Sequence, residues 1–169
     1  MGGQEFPIRY ISTERPYVTY IDGKHLVFAN VSAKRYGRST PMYHVETHFL
    51  TTIWLDKFLR ADFYFYEYLT GVYKRGFFEL HLNFCQFIKN PIFGPMMKQR
   101  NLTGPCPYPP GEYHFYNMTV AGTAVPKGFP FTKGRLYANA TYKNIFIASG
   151  YLDIEIKEVR IKRQKRRIK

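Results

Sequence analysis

The seventeen residues from Asn101 to Asn117 (N-L-T-G-P-C-P-Y-P-P-G-E-Y-H-F-Y-N) restrict this chain more than any other stretch. Pro105, Pro107, Pro109 and Pro110 lock φ and remove backbone donors, so neither a helix nor a central strand can run through them. Gly111 releases the chain into Glu112–Val120, whose composition reads as a strand. Cys106 stands inside this rigid elbow, and Cys85 is the only intrachain partner it has. A Cys85–Cys106 bridge would close a loop of about 20 residues, worth roughly 3 kcal/mol through restriction of the unfolded chain.

Around the elbow the pattern is that of short strands. Aromatics make up 18% of the 169 residues, Ala-Leu-Glu helix patterns are scarce, and a single domain of this length can bury a core unaided. Arg60–Leu69 puts Ala61, Phe63 and Phe65 on one side and Tyr64, Tyr66 and Tyr68 on the other. Phe77–Phe84 sets Phe78, Leu80 and Leu82 against Glu79, His81 and Asn83, with Cys85 falling on the polar face and a turn expected at Tyr73–Gly76. Asp22-Gly23, between Tyr17–Ile21 and Lys24–Val31, predicts a two-residue hairpin. Gly134–Tyr142 and Gly150–Ile161 alternate well, and a change of phase predicts a bulge near Lys157–Glu158. One or two helical turns are expected after Pro91, in the strongly apolar connector between the cysteines. The expectation is all-β: a β-sandwich of about seven to nine antiparallel strands, with one short helix or lid segment between Cys85 and Cys106. It occupies residues 17–157, after an N-terminal extension at 1–16 and before a basic C-terminal tail at 158–169.

Four N-x-[ST] sequons, at Asn30, Asn101, Asn117 and Asn139, exceed the roughly 0.7 that seven Asn and sixteen Ser or Thr would produce at random. With the cysteine pair they predict a secreted, glycosylated, disulfide-bonded protein, and alternation turns Asn139 toward solvent. The plainer account is polar residues at turns and strand edges. The first 25 residues hold no continuous apolar core, so no secretory signal is visible there. No apolar run approaches the roughly 20 residues that span a bilayer. Of the net charge of +13, Lys157–Lys169 carries eight basic residues and one acid; this run reads as a solvated tail, or as a contact for anionic lipid, sulfated glycan or nucleic acid. Nucleic acid is disfavoured, because basic residues interleaved with exposed aromatics within the fold itself are what it would need.

Catalytic patterns such as G-x-S-x-G, H-E-x-x-H or a phosphate-cradling loop are absent from the sequence. His44, Glu46 and His48 share a strand face at i, i+2 and i+4, a spacing zinc could use, but a solvated polar face accounts for them and no further ligand cluster accompanies them. The expectation is no enzyme, no metal and no cofactor.

The order C-x-F, then N-L-T-x-x-C-P-Y-x-x-G-x-Y-x-x-x-N-M-T, then spaced prolines and a glycine, resembles a large insect family of small secreted proteins. That family is grouped with the lipid-recognition (ML) superfamily and related to the insect chemosensory B proteins and the ganglioside activator protein. The matching residues are Cys85, Asn101, Cys106, Pro107, Tyr108, Gly111, Tyr113, Asn117, Pro126, Pro130 and Gly134. The resemblance spans roughly Tyr17 to Lys157 and is most specific from Cys85 to Gly134. It implies an immunoglobulin-like sandwich whose sheets splay around a lipid or other hydrophobic small molecule, with no catalytic residues.

The residues agree with a binder. An apolar lining is available from Phe63, Phe65, Phe78, Leu80, Leu82, Tyr113, Phe115, Leu136, Leu152 and Ile154, with Phe93, Met96 and Met97 at the mouth. The same residues would equally make an ordinary filled core. Two functions are therefore carried forward. One is a secreted carrier of a hydrophobic ligand, with chemosensation as one setting. The other is an extracellular interaction module with a filled core, contacting a protein receptor, a glycan or a membrane surface through Tyr64, Tyr66, Tyr68 and the basic tail.

Overall fold

The computed structural model describes residues 5–35, 43–91, 94–97, 102, 104–118 and 132–162. Within them the alternating segments form eight strands: β1 (Glu5–Ile21), β2 (Leu26–Arg35), β3 (Tyr43–Thr51), β4 (Leu59–Leu69), β5 (Val72–Asn83), β6 (Gly111–Met118), β7 (Lys133–Tyr142) and β8 (Ile145–Lys162). Helices α1 (Phe84–Lys89) and α2 (Gly94–Met97) lie between β5 and β6. One antiparallel sheet has the order β1-β8-β7-β4-β5 and the other β2-β3-β6. The molecule is thus the all-β, immunoglobulin-like sandwich expected, and Cys85 and Cys106 are disulfide-bonded with their Cα atoms 5.7 Å apart.

Several local expectations change. Asp22-Gly23 does not make a hairpin, because β1 and β2 belong to different sheets. Oδ1 of Asp22 accepts the backbone N–H groups of Lys24, His25 and Leu26 at 3.0, 3.0 and 3.1 Å, and Oδ2 pairs with His25 Nδ1 at 2.5 Å. That wrapped carboxylate turns the chain from one sheet to the other instead of back along its own strand. The turn expected at Tyr73–Gly76 lies earlier, at Thr70-Gly71 (φ 48° and 81°), and Leu69 pairs with Val72. A second two-residue turn, Lys143-Asn144 (φ 45° and 67°), joins β7 to β8.

The expected bulge at Lys157–Glu158 is absent. Pairing is regular there, and the register shifts between Glu14 and Tyr17 on β1, where Arg15 has φ 49° and Pro16 follows. β1 and β8 run on together from Glu5 opposite Lys162, so strand pairing continues into both segments that the sequence set apart as extension and tail. A helical turn does follow Pro91 as expected, in α2, and a longer helix that the sequence reading did not anticipate, α1, begins at Phe84. Asn83 caps it with a reciprocal box: its side chain accepts Gln86 N–H at 2.8 Å, while Gln86 Oε1 accepts Asn83 N–H at 2.9 Å. Cys85 consequently sits on a helix and not at a strand end.

Candidate apolar binding site

Cross-strand register places Phe63 and Phe65 of β4, Leu80 and Leu82 of β5, Leu136 of β7 and Leu152 and Ile154 of β8 on one face of the five-stranded sheet. Phe65 is closed off at 2% exposure, its ring lying over Gly134. The others are only partly buried. Phe78 is also partly buried and falls in the irregular stretch Gly76–Phe78 that opposes Phe65. Phe93 lies outside the described residues, as does the side chain of Met96.

Tyr113, Phe115 and Met97 were expected to line the ligand space, but they belong to a closed cluster with Leu55 and Tyr108. The elbow explains this. Leu55 and Tyr108 exchange backbone hydrogen bonds at 2.9 and 3.1 Å, and Tyr108 Oη donates to Gly104 O at 2.9 Å. The Tyr113 hydroxyl donates to Pro109 O, and burial pushes its pKa above the usual phenol value. Phe49 stacks on Tyr113 and Phe115 at 5.5 and 6.0 Å. The cis peptide before Pro107 is part of the same elbow.

α1 connects this cluster to the apolar face: Phe87 packs against the cluster and stacks on Phe63 with ring centroids 5.9 Å apart. α2 is drawn tightly onto α1, since a Cβ at Gly94 would lie 2.3 Å from Ile88 O. An open cleft of about 420 Å³ lies against the disulfide, lined by Ile88, Pro91, Pro105 and Tyr108, with Lys89 and Asn90 supplying polar groups. Its volume falls within the range of small-molecule sites.

The polar clusters serve other ends. On the outer face of the three-stranded sheet Glu46 pairs with Lys34 and with His114, both at 2.7 Å, while His48 pairs with Glu112 at 2.5 Å. The Lys34 ammonium and then His114 hold the Glu46 carboxyl below its usual range. Glu46 and His48 are thus engaged with separate partners, burial holds His44 less basic than usual, and among the described residues no three such groups are arranged to hold a metal ion. Asn30 is exposed on β2 and Asn139 partly buried on β7; Asn101 and the side chain of Asn117 lie outside the described residues.

Sequence reasoning missed the organisation of the outer face of the five-stranded sheet. Tyr17, Tyr151, Tyr137 and Tyr64 stand opposite one another on four adjacent strands, forming a single row. Arg135, in the next row, donates through Nε to Asp153 at 2.8 Å and lies over the rings of Tyr151 and Tyr73 at 4.2 and 4.5 Å. The Asp153 hydrogen bond raises the guanidinium pKa still further. The alternation of Tyr64, Tyr66 and Tyr68 was the visible signal, but the rest of the row (Tyr17, Tyr137 and Tyr151) comes from strands far from Tyr64 in sequence.

Residues 59–138, just under half of the chain, match a family model described as "Protein of unknown function (DUF1091)". The match runs from the start of β4 through both cysteines into β7. No curated protein matches the chain.

Proposed function

We propose that this protein is a non-enzymatic binder of a lipid or other hydrophobic small molecule, held between its two sheets and reached from the disulfide end. One observation carries the reading. Phe63, Leu80, Leu82, Leu136, Leu152 and Ile154 share a face with the buried Phe65 and remain partly exposed, while the closed cluster gathers around the elbow with Leu55 and Met97. A sandwich filled along its length would bury such residues. The cleft beside Ile88 and Tyr108 supplies an entrance, with α1 between it and the apolar face. Moving about twelve methylenes from water into such a space gains roughly 10 kcal/mol before association and ordering costs. The resemblance to the lipid-recognition superfamily and the insect chemosensory proteins belongs to this reading, as do the sequons and the bridge, which suit an extracellular site of action.

Native mass spectrometry of protein secreted from eukaryotic cells tests it. The expected result is a co-purifying apolar mass that is lost or reduced in Ala138→Trp, which fills space opposite Phe63. A clean apo mass, with no rise in Tm across a panel of fatty acids, sterols and hydrocarbons, would sink the carrier and leave the interaction module with a filled core.

A further inference from the structure

On the outer face of the five-stranded sheet Asn139 stands one row from the tyrosines. Its cross-strand partners are Asp62 and Ser149. Two residues along the same three strands come Tyr137, Tyr64 and Tyr151, the middle of the aromatic row. Side chains two apart on a strand share a face, and diagonal neighbours about 7–8 Å away lie within reach of long groups. The charges around this shelf are already satisfied: Arg135 by Asp153, Arg75 by Glu79 and Lys157 by Glu14. The shelf is built of tyrosine rings tilted or edge-to-face against one another, with Arg135 over Tyr151 and Arg75 over Tyr64, each of these cations already paired with a carboxylate. That surface suits a neutral, hydroxyl-rich body with C–H groups on its flat side, and it suits a charged peptide or an acyl chain less well.

The other sheet also sets aromatic rings beside a sequon, in a different register, with His48 and His114 in the row of Asn30 itself. Asn30 is exposed on β2 with Phe28 two residues before it, and Phe28 begins an aromatic row through His48, His114 and Tyr116, with centroid spacings of 5.0, 4.7 and 3.8 Å. In sequence, Phe28, Phe115 and Tyr137 each precede a sequon Asn by two, so three of four sequons carry an aromatic there in a chain that is 18% aromatic.

We infer that Asn139 carries an N-linked glycan whose first sugar lies on the Tyr137–Tyr64–Tyr151 shelf, so that this face is covered by the chain's own carbohydrate and not by a protein partner. The inference rests on the extracellular part of the proposed function and is independent of the ligand. In the linkage step the Asn139 side-chain nitrogen bonds to the anomeric carbon of a lipid-pyrophosphate oligosaccharide. The C–O bond to the pyrophosphate breaks, the amide gives up one proton, and the lipid pyrophosphate leaves.

The test is peptide mass spectrometry of secreted protein followed by a thermal cycle on wild type, Thr141→Ala (which removes the sequon and keeps Asn139), Tyr137→Leu and the double variant. Expected are an occupied Asn139, a Tm about 2–4 °C lower in Thr141→Ala, and a Tyr137→Leu penalty that shrinks by a similar amount once the glycan is gone. Trimming the glycan to its first sugar should preserve the wild-type Tm. Tyr64→Leu repeats the cycle if Tyr137→Leu fails to fold. Strictly additive penalties, or a bare Asn139 beside an occupied Asn30, overturn the inference and leave the extracellular reading standing; four bare sequons overturn both.

Discussion

Replacing Gly134 by alanine should destabilise this protein far more than one methyl group suggests. A Cβ at Gly134 would lie 2.3 and 2.7 Å from Cζ and Cε2 of Phe65 and 2.5 Å from Tyr66 O. The ring can tilt, but the carbonyl belongs to β4, which is paired on both sides. Overpacking of this kind costs about 1–3 kcal/mol, and a backbone obstacle puts this site near 3. For a chain of this length that is a fall in Tm of roughly 6–12 °C. Thermal and urea unfolding of Gly134→Ala, Phe65→Leu and the double variant give the answer. Phe65→Leu removes the ring contacts but not the carbonyl contact, so the double variant should recover about 1 kcal/mol relative to the sum of the singles. Gly71→Ala is the contrast: nothing lies within 4 Å of its Cβ position, and only its φ of 81° opposes a side chain, at a cost of about 1 kcal/mol. A Gly134→Ala protein melting within 2 °C of wild type, or strictly additive singles, would refute the close approach of β7 to Phe65.

Three further outcomes follow from the same structure. Cys85→Ser/Cys106→Ser should lose about 3 kcal/mol in urea unfolding, since the bridge spans 21 positions. Asn83→Ala removes one half of the α1 capping box and should cost about 1 kcal/mol, seen as a lower urea midpoint at unchanged slope. For Asp22, burial acts to raise the pKa, but the His25 side chain and the N–H groups of Leu26, His25 and Lys24 outweigh it and hold it below 3.8. A depressed carboxyl pKa contributes stability that is present above the unfolded value and lost as pH falls through the folded one. Asp22→Asn should therefore be less stable than wild type at pH 7, with the gap closing below pH 3.8; a gap that persists unchanged into acid refutes the wrapped carboxylate.

Much of the fold could be read from local pattern. Phe63 and Phe65 against Tyr64, Tyr66 and Tyr68 separate onto opposite faces as the alternation requires, because a strand turns successive side chains by half a revolution whatever its partner. The helix start was also available: Asn83 followed three residues later by Gln86 is a capping signal, hidden by the apolar alternation that runs up to Phe84. Tyr113, Phe115 and Met97 were not separable in advance from the apolar residues that stay partly exposed. Their apolarity is the same, and only the Leu55–Tyr108 pairing decides that they are sealed.

By itself the amino-acid sequence determined the strand class, the two faces of each strand and the pairing of its only two cysteines, since these depend on backbone stereochemistry, period and count. Tertiary structure alone decided that Asp22-Gly23 turns between sheets, that Tyr17, Tyr151, Tyr137 and Tyr64 form one row, and that Asp153 meets Arg135 among them. Each of those depends on which strands lie side by side. That choice is made by the summed burial and hydrogen bonding of distant segments, which no local window contains.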